Sequence, residues 1–280
     1  MSFIAILGAG ALGGTLAHRL AARGRVNEVR LIDEHPTVAQ GKALDIQQSG
    51  AVEGFSTRLT SASAIEAAAG ADAIVVADSS QGDVEHGGEG GLALVRRIAA
   101  IEARAPLVFA GASQRLLIVR AANELRMARV RLIGSAPAAL ESAVRAIAGL
   151  EADATGVEVQ LRVVGVPPDA AVVAWEEASA SGQPLAASLA PHQIAAITAR
   201  LPRLWPPGPL VLASAAARAA EAVTNGSRRR FSCFVAVGEG STARVLAMPV
   251  ELGPGGVLQV LRPALTRLEQ TRLDNASAIS

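Results

Sequence analysis

Apolar residues fall in short unbroken runs through the first half of the chain and in looser, alternating patterns through the second. Phe3-Ile4-Ala5-Ile6-Leu7 is the first run, and it stops at glycines, as a strand covered on both faces should. Leu12 to Arg23 then shows apolar positions at helical spacing, closed by Gly24. The alternation continues with a strand at Val29-Arg30-Leu31-Ile32, a helix around Val38 to Gln48, weaker structure, and a strand at Ala73-Ile74-Val75-Val76. A glycine-rich stretch from Gly82 to Gly91 leads into a helix near Leu92 to Ala103. After it come a strand at Leu107-Val108-Phe109, a helix from Arg115 to Leu125 and a strand at Val130 to Ile133. Strands that alternate with helices, most of them continuously apolar, predict an α/β fold with a doubly wound parallel sheet.

The pattern changes after Gly134. A helix at about Ala138 to Ala148 precedes alternating segments at Val157 to Val163 and Ala171 to Trp175, which read as antiparallel strands. Helices follow near His192 to Arg200 and Leu210 to Ala222, strands at Phe231 to Val237 and Arg244 to Val250, and a last helix from about Arg262. The expected organisation is therefore an N-terminal domain over residues 1–134 and an α+β domain over residues 135–280, packed closely as two lobes.

Half of the 280 residues are hydrophobic and 18% are charged, which allows a large core and excludes a disordered chain. The net charge of +1 leaves no electrostatic footprint for nucleic acid or an anionic membrane. The one basic cluster, Arg228-Arg229-Arg230, reads as a solvated edge or a subunit contact. No apolar run approaches the ~20 residues that span a bilayer, and no basic leader precedes the first strand. Cys233 is the only cysteine, so an internal disulfide is excluded; its neighbours Phe231, Phe234 and Val235 mark it as a buried structural thiol. The expectation is a soluble, cytoplasmic protein, and its alanine-rich, lysine-poor composition points to GC-rich bacterial coding.

Gly8-Ala9-Gly10-Ala11-Leu12-Gly13 is a G-x-G-x-x-G run that follows a strand and opens a helix, with Asp33 ending the next strand. Gly8 permits a tight turn, Gly10 lets a pyrophosphate approach the backbone, and Gly13 lets helix and strand pack closely. Free N–H groups and the positive end of the helix dipole then face the phosphates. Asp33 would accept hydrogen bonds from a ribose and repel a 2′-phosphate, so the cofactor expected is NAD rather than NADP. Nothing else in the chain resembles a flavoprotein. The expected cofactor-binding residues are Gly8, Gly10, Ala11, Leu12, Gly13 and Asp33, in a Rossmann-type domain. No His/Cys/Asp/Glu spacing suggests a metal site.

From Ile4 to Ala17, through Leu31-Ile32-Asp33, Gly41-Lys42-Ala43-Leu44-Asp45-Ile46 and Gly70 to Val76, the chain resembles the lactate/malate dehydrogenase family, closest to its malate branch. The likeness is dense to residue 77 and thin beyond it. It implies NAD-dependent interconversion of 2-keto and 2-hydroxy acids. That chemistry needs a histidine to move the proton, an acid to orient it, and arginines to hold the carboxylate and polarise the carbonyl. The resemblance puts the histidine's place at Pro167, the orienting acid at Glu141 and the carboxylate-binding arginine at Val144. The arginines of the family's mobile loop fall on Asp83 and Glu89, and its asparagine is lost in Ala110-Gly111-Ala112. The same resemblance implies a dimer or larger homo-oligomer through the helix Gly41 to Gln48.

Two readings stay open. One is an NAD(H)-binding protein without 2-hydroxy-acid dehydrogenase activity, used as a sensor, regulatory or assembly subunit. The other is an active NAD-dependent oxidoreductase with an altered substrate, using a loop residue such as His86. A third, a structural protein that has lost cofactor binding too, runs against the intact glycines and Asp33. His18, His35 and His192 read as a surface, a turn and a helix-start residue respectively.

Overall fold

The computed structural model describes residues 2–227, 229–238 and 243–278. Arg228, the first residue of the basic cluster, lies outside the described residues. Strand β1 (Phe3–Leu7) pairs in parallel with β2 (Glu28–Ile32) on one side and β4 (Ala73–Val76) on the other. Strand β3 (Arg58–Ala62) extends the sheet beyond β2, and β5 (Leu107–Phe109) and β6 (Leu132–Gly134) extend it beyond β4. The resulting order β3-β2-β1-β4-β5-β6 is that of a doubly wound dinucleotide-binding sheet, whose point of reversal lies between β1 and β4. Ligands bind such sheets in the crevice outside the carboxyl ends of the strands at that point. The connecting helices are α1 (Ala11–Arg23), α2 (Pro36–Glu53), α3 (Gly88–Ile101) and α4 (Arg115–Asn123).

Helix α5 (Ala136–Glu151) leads into the second half, which is α+β as expected. Its strands are β7 (Val159–Gln160), β8 (Val163–Val166), β9 (Ala170–Val173), β10 (Ser179–Ala180), β11 (Gln183–Pro184), β12 (Arg230–Val237), β13 (Arg244–Gly253) and β14 (Gly256–Val260). Its further helices are α6 (Leu185–Ser188), α7 (Pro191–Arg200), α8 (Pro209–Asn225) and α9 (Arg267–Ala278). Most of these strands continue the first sheet instead of forming one of their own. Strand β12 pairs antiparallel with β6, Val235 opposite Ile133, and β13, β8 and β9 follow it, so that 11 strands among the described residues share one sheet. The main apolar core runs across both halves, and a smaller one, around Leu140, Val144, Leu161, Val163 and Ile197, belongs to the second half alone. Helix α8 lies on α1, tied by the Arg23–Glu221 ion pair. Cys233 is fully buried in β12, where desolvation pushes its thiol well above the ordinary range.

Several expected elements shift, each for a local reason. The weak stretch after α2 is strand β3, whose pattern was masked because only Leu59 of its five residues is buried on this sheet edge. Pro36 starts α2 earlier than its apolar pattern does, since proline suits the first turn of a helix. The expected strand Val157 to Val163 is two strands, β7 and β8. The last helix begins at Arg267 rather than Arg262, beyond Pro263.

Candidate functional site

The glycine run makes the turn its spacing predicts. Gly8 has φ +106°, and a Cβ there would stand 2.1 Å from the Asp78 carbonyl oxygen. A Cβ on Gly13 would stand 2.1 Å from the Gly8 carbonyl oxygen, so the start of α1 packs directly on the end of β1. The N-terminus of α1 thus faces the crevice at the switch point. Its N-cap residue, Gly10, offers no side chain to satisfy the first N–H groups.

Those groups are satisfied by acids from elsewhere in the chain. Ala11 N–H donates to Asp83 Oδ1 at 2.7 Å, Leu12 N–H to Asp78 Oδ2 at 2.9 Å, and Gly13 N–H to Asp78 Oδ1 at 2.7 Å. Asp78, 2% exposed, is also the group that would meet a Cβ at Gly10, at 2.4 Å. Burial and the neighbouring Asp83 charge push its carboxyl upward, against the pull of the two N–H donors. On the carbonyl side of the turn, Lys42 Nζ donates to Ala9 O at 2.5 Å and Gly10 O at 2.8 Å.

Asp33 is equally committed. Its Oδ2 accepts from Ala9 N–H at 2.8 Å and Ser80 N–H at 3.0 Å; its Oδ1 accepts from Ser80 Oγ at 2.7 Å and His35 N–H at 2.9 Å. Four hydrogen bonds use the capacity of a carboxylate. Against the cost of burial they hold its carboxyl down at about 2. His35 is the N-cap residue of α2, directly beside Asp33.

Asp78, Ser80 and Asp83 belong to one folded-in loop, residues 78–86. Ser79 N–H donates to Val84 O at 2.8 Å and His86 N–H to Ala77 O at 3.1 Å, closing a narrow hairpin through Gly82. Buried Gln114 clamps its base, its Nε2 donating to Ala77 O and His86 O. Further along, Glu85 accepts from Ala112 N–H and Ser113 N–H, both at 2.8 Å, and from Ser113 Oγ at 2.5 Å. Its carboxyl carbon stands 2.3 Å from where a Cβ of Gly111 would be. The loop therefore sets three carboxylates along the crevice, from the start of α1 to the end of β5. His86 sits with Asp33, Ser79 and Ile65 around a cavity of about 280 Å³ at the ends of β1 and β2. Burial lowers its pKa despite Asp33, Asp78 and Glu34 nearby.

Glu141, 6% exposed on α5, pairs with Arg162 (3.1 Å) and accepts from Ser232 Oγ at 2.5 Å. Burial raises its pKa although Arg162 pulls it down. Val144 is fully buried in the smaller core, and Pro167 stands in the turn between β8 and β9. Arg162 and Ser232 were missed by the sequence reading, because they approach Glu141 from 21 and 91 residues away. His18 pairs with Glu53 on the surface, and no cluster of three metal-ligating side chains occurs among the described residues.

A glycine turn at the switch point of a 3-2-1-4-5-6 sheet, with an acid following β2, is the arrangement of a doubly wound dinucleotide-binding domain. Residues 3–104 match the family model of the lactate/malate dehydrogenase NAD-binding domain. Over those residues the chain is similar to the lactate/malate dehydrogenase family. The full fold agrees. It superposes on a Cryptosporidium parvum lactate dehydrogenase, solved with lactic acid and the nicotinamide cofactor, with a TM-score of 0.87 at 21% identity, covering 98% of this chain and 94% of that one. It superposes on Salinibacter ruber malate dehydrogenase with a TM-score of 0.86 at 21% identity (99% and 94% covered). For Picrophilus torridus malate dehydrogenase the TM-score is 0.84 at 19% identity (99% and 97% covered). Among the described residues no helix is long and apolar enough to cross a membrane.

The fold and glycine turn suit an NAD-type dinucleotide, but the side chains as placed do not. A pyrophosphate needs the N–H groups of Ala11, Leu12 and Gly13, and a ribose needs acceptor capacity on Asp33. Internal partners hold all four.

Proposed function

We propose that this chain is an NAD(H)-binding protein of the lactate/malate dehydrogenase type that does not interconvert 2-keto and 2-hydroxy acids and serves as a sensor, regulatory or assembly subunit. Residues 1–134 form its cofactor unit and residues 135–280 the remnant of a substrate unit. The observation that carries this reading is Glu141: the acid that would orient a catalytic histidine is instead engaged by Arg162 and Ser232, and no histidine is among its hydrogen-bond or ion-pair partners. His86, the residue an active alternative would need, lines a cavity with Asp33 at the ends of β1 and β2.

The cofactor residues in this reading are Gly8, Gly10, Ala11, Leu12, Gly13 and Asp33, with Asp33 turning to the ribose once Ser80 has moved away. Calorimetry should give NADH binding in the micromolar-to-millimolar range and weaker or absent NADPH binding. A preference for NADPH, or no binding of either, defeats the reading.

A homo-oligomer is also expected. Leu210 at the start of α8, 63% exposed, lines a surface hollow shared by α1 and α2, and Leu44 on α2 is 56% exposed, which suits a partner subunit. Light scattering at micromolar concentration should give twice the chain mass or more; a monomer contradicts this.

A further inference from the structure

We propose that the loop Asp78–His86 is a built-in occupant of the dinucleotide crevice, so that the protein exists in a self-capped form and takes NAD(H) only when this loop swings out. The inference rests on the NAD(H) reading above and adds to it the means of control.

Three observations converge. The N–H groups of Ala11, Leu12 and Gly13 each point at a loop carboxylate oxygen, at 2.7 to 2.9 Å, in the manner of N–H groups holding an anion. Glu85 makes the same kind of contact at the other end of the crevice, with the N–H groups of Ala112 and Ser113. Ser80 spends the acceptor capacity of Asp33. One loop therefore answers, with its own groups, the demands a dinucleotide would make at its phosphates and at its ribose.

Occupation by loop and by ligand is mutually exclusive. Each N–H has one hydrogen to give, and a pyrophosphate placed beside Asp78 and Asp83 would meet two like charges. A neutral or apolar loop would merely leave the N–H groups to water. Carboxylates compete for them directly.

The loop is also built to leave. Asp83 and Val84 at its tip are exposed, and Gly82 and Asp83 hold positive φ values of +76° and +51°. Gly87, the N-cap of α3, and Gly88, its first residue, join the loop to that helix, so the backbone can turn there at low conformational cost. Its anchors are the backbone bonds Gly10 N–H to Asp78 O and His86 N–H to Ala77 O, the hydrogen bonds from Gln114, those to Asp33, and the contacts of its three carboxylates. When the binding-competent form is a minor fraction, the apparent affinity falls in proportion to that fraction.

The test is a comparison of wild type with Asp83→Gly/Glu85→Ala and with Asp78→Ala. Glycine is chosen at 83 because the residue there has positive φ. NADH is titrated by calorimetry, and hydrogen exchange of the Ala11, Leu12 and Gly13 amides is followed without ligand, with melting curves to confirm folding. Each variant should bind NADH at least about tenfold more tightly than wild type. Exchange at Ala11 should quicken in the double variant, and at Leu12 and Gly13 in Asp78→Ala. Wild type binding NADH as tightly as the variants overturns the proposal, as do amides that exchange equally fast in all three. If none of the proteins binds NADH while the exchange differences appear, the NAD(H) reading fails and the self-capping stands. If Asp78→Ala does not fold, the double variant decides the matter through Ala11 alone.

Discussion

Purified protein given NADH with oxaloacetate or pyruvate should oxidise no measurable NADH, with turnover at least about 10⁴-fold below that of an ordinary dehydrogenase. Loss of general acid–base catalysis typically costs about 10²–10⁴ in rate, and Pro167 in its turn has no proton to move. Loss of the carboxylate-holding arginine removes a charge-assisted pair of roughly 1.5–3 kcal/mol. The crevice adds a further obstacle: Asp83 and Glu85 line it with carboxylates, the wrong sign for an anionic keto acid. Restoring single residues should not rescue turnover, because the losses act on one transition state. Val144→Arg would force a guanidinium into the smaller core, where Val144 is fully buried, and should unfold the protein sooner than activate it. Turnover of either keto acid at an ordinary rate, abolished by His86→Ala, would establish instead a base relocated to the loop.

Arg162→Met should cost about 3–5 kcal/mol of stability at neutral pH, seen as a drop of roughly 10 °C in melting temperature. It leaves the Glu141 charge buried without its ion-pair partner. The pH dependence follows from the raised pKa of Glu141. A group that holds its proton more tightly when folded makes stability fall as pH rises above its unfolded value of about 4.3, until it ionises in the folded state as well. Removing Arg162 raises that pKa further, so the variant should recover part of its loss near pH 5. Glu141→Gln, which carries no charge to bury, should show no such slope. Melts at several pH values decide between these outcomes; an Arg162→Met protein as stable as wild type at pH 7 would show that the pair contributes nothing.

The fold was legible wherever one face or both of an element met the core. Strands β1, β2, β4 and β5 were plain from their apolar runs, and the glycine turn from its spacing, because each is dictated by residues adjacent in sequence. Strand β3 was not, since an edge strand with one buried residue carries no period. The continuation of the sheet through β12 depends on pairing Val235 with Ile133, about a hundred residues apart, which no local pattern encodes. The site divided the same way. Gly8, Gly10, Gly13 and Asp33 announced a crevice for phosphate and ribose, while of the three loop acids only Asp83 stood out, as the place of a lost arginine. That Asp78 and Asp83 reach Leu12, Gly13 and Ala11 needed the fold, which closes gaps of 65 to 72 residues. One sequence signal did point there: an acid directly after the buried run Ala73–Ala77, at the carboxyl end of a central strand, must find donors, and the nearest are those at the start of α1.

The most direct test of the account is one titration of the protein into NADH in the presence of excess oxaloacetate, followed by nicotinamide fluorescence and by absorbance at the reduced-nicotinamide band. The account predicts a saturable change in fluorescence as NADH is bound, with absorbance constant over hours. Absorbance that decays in proportion to protein concentration, or fluorescence that never responds, would contradict it.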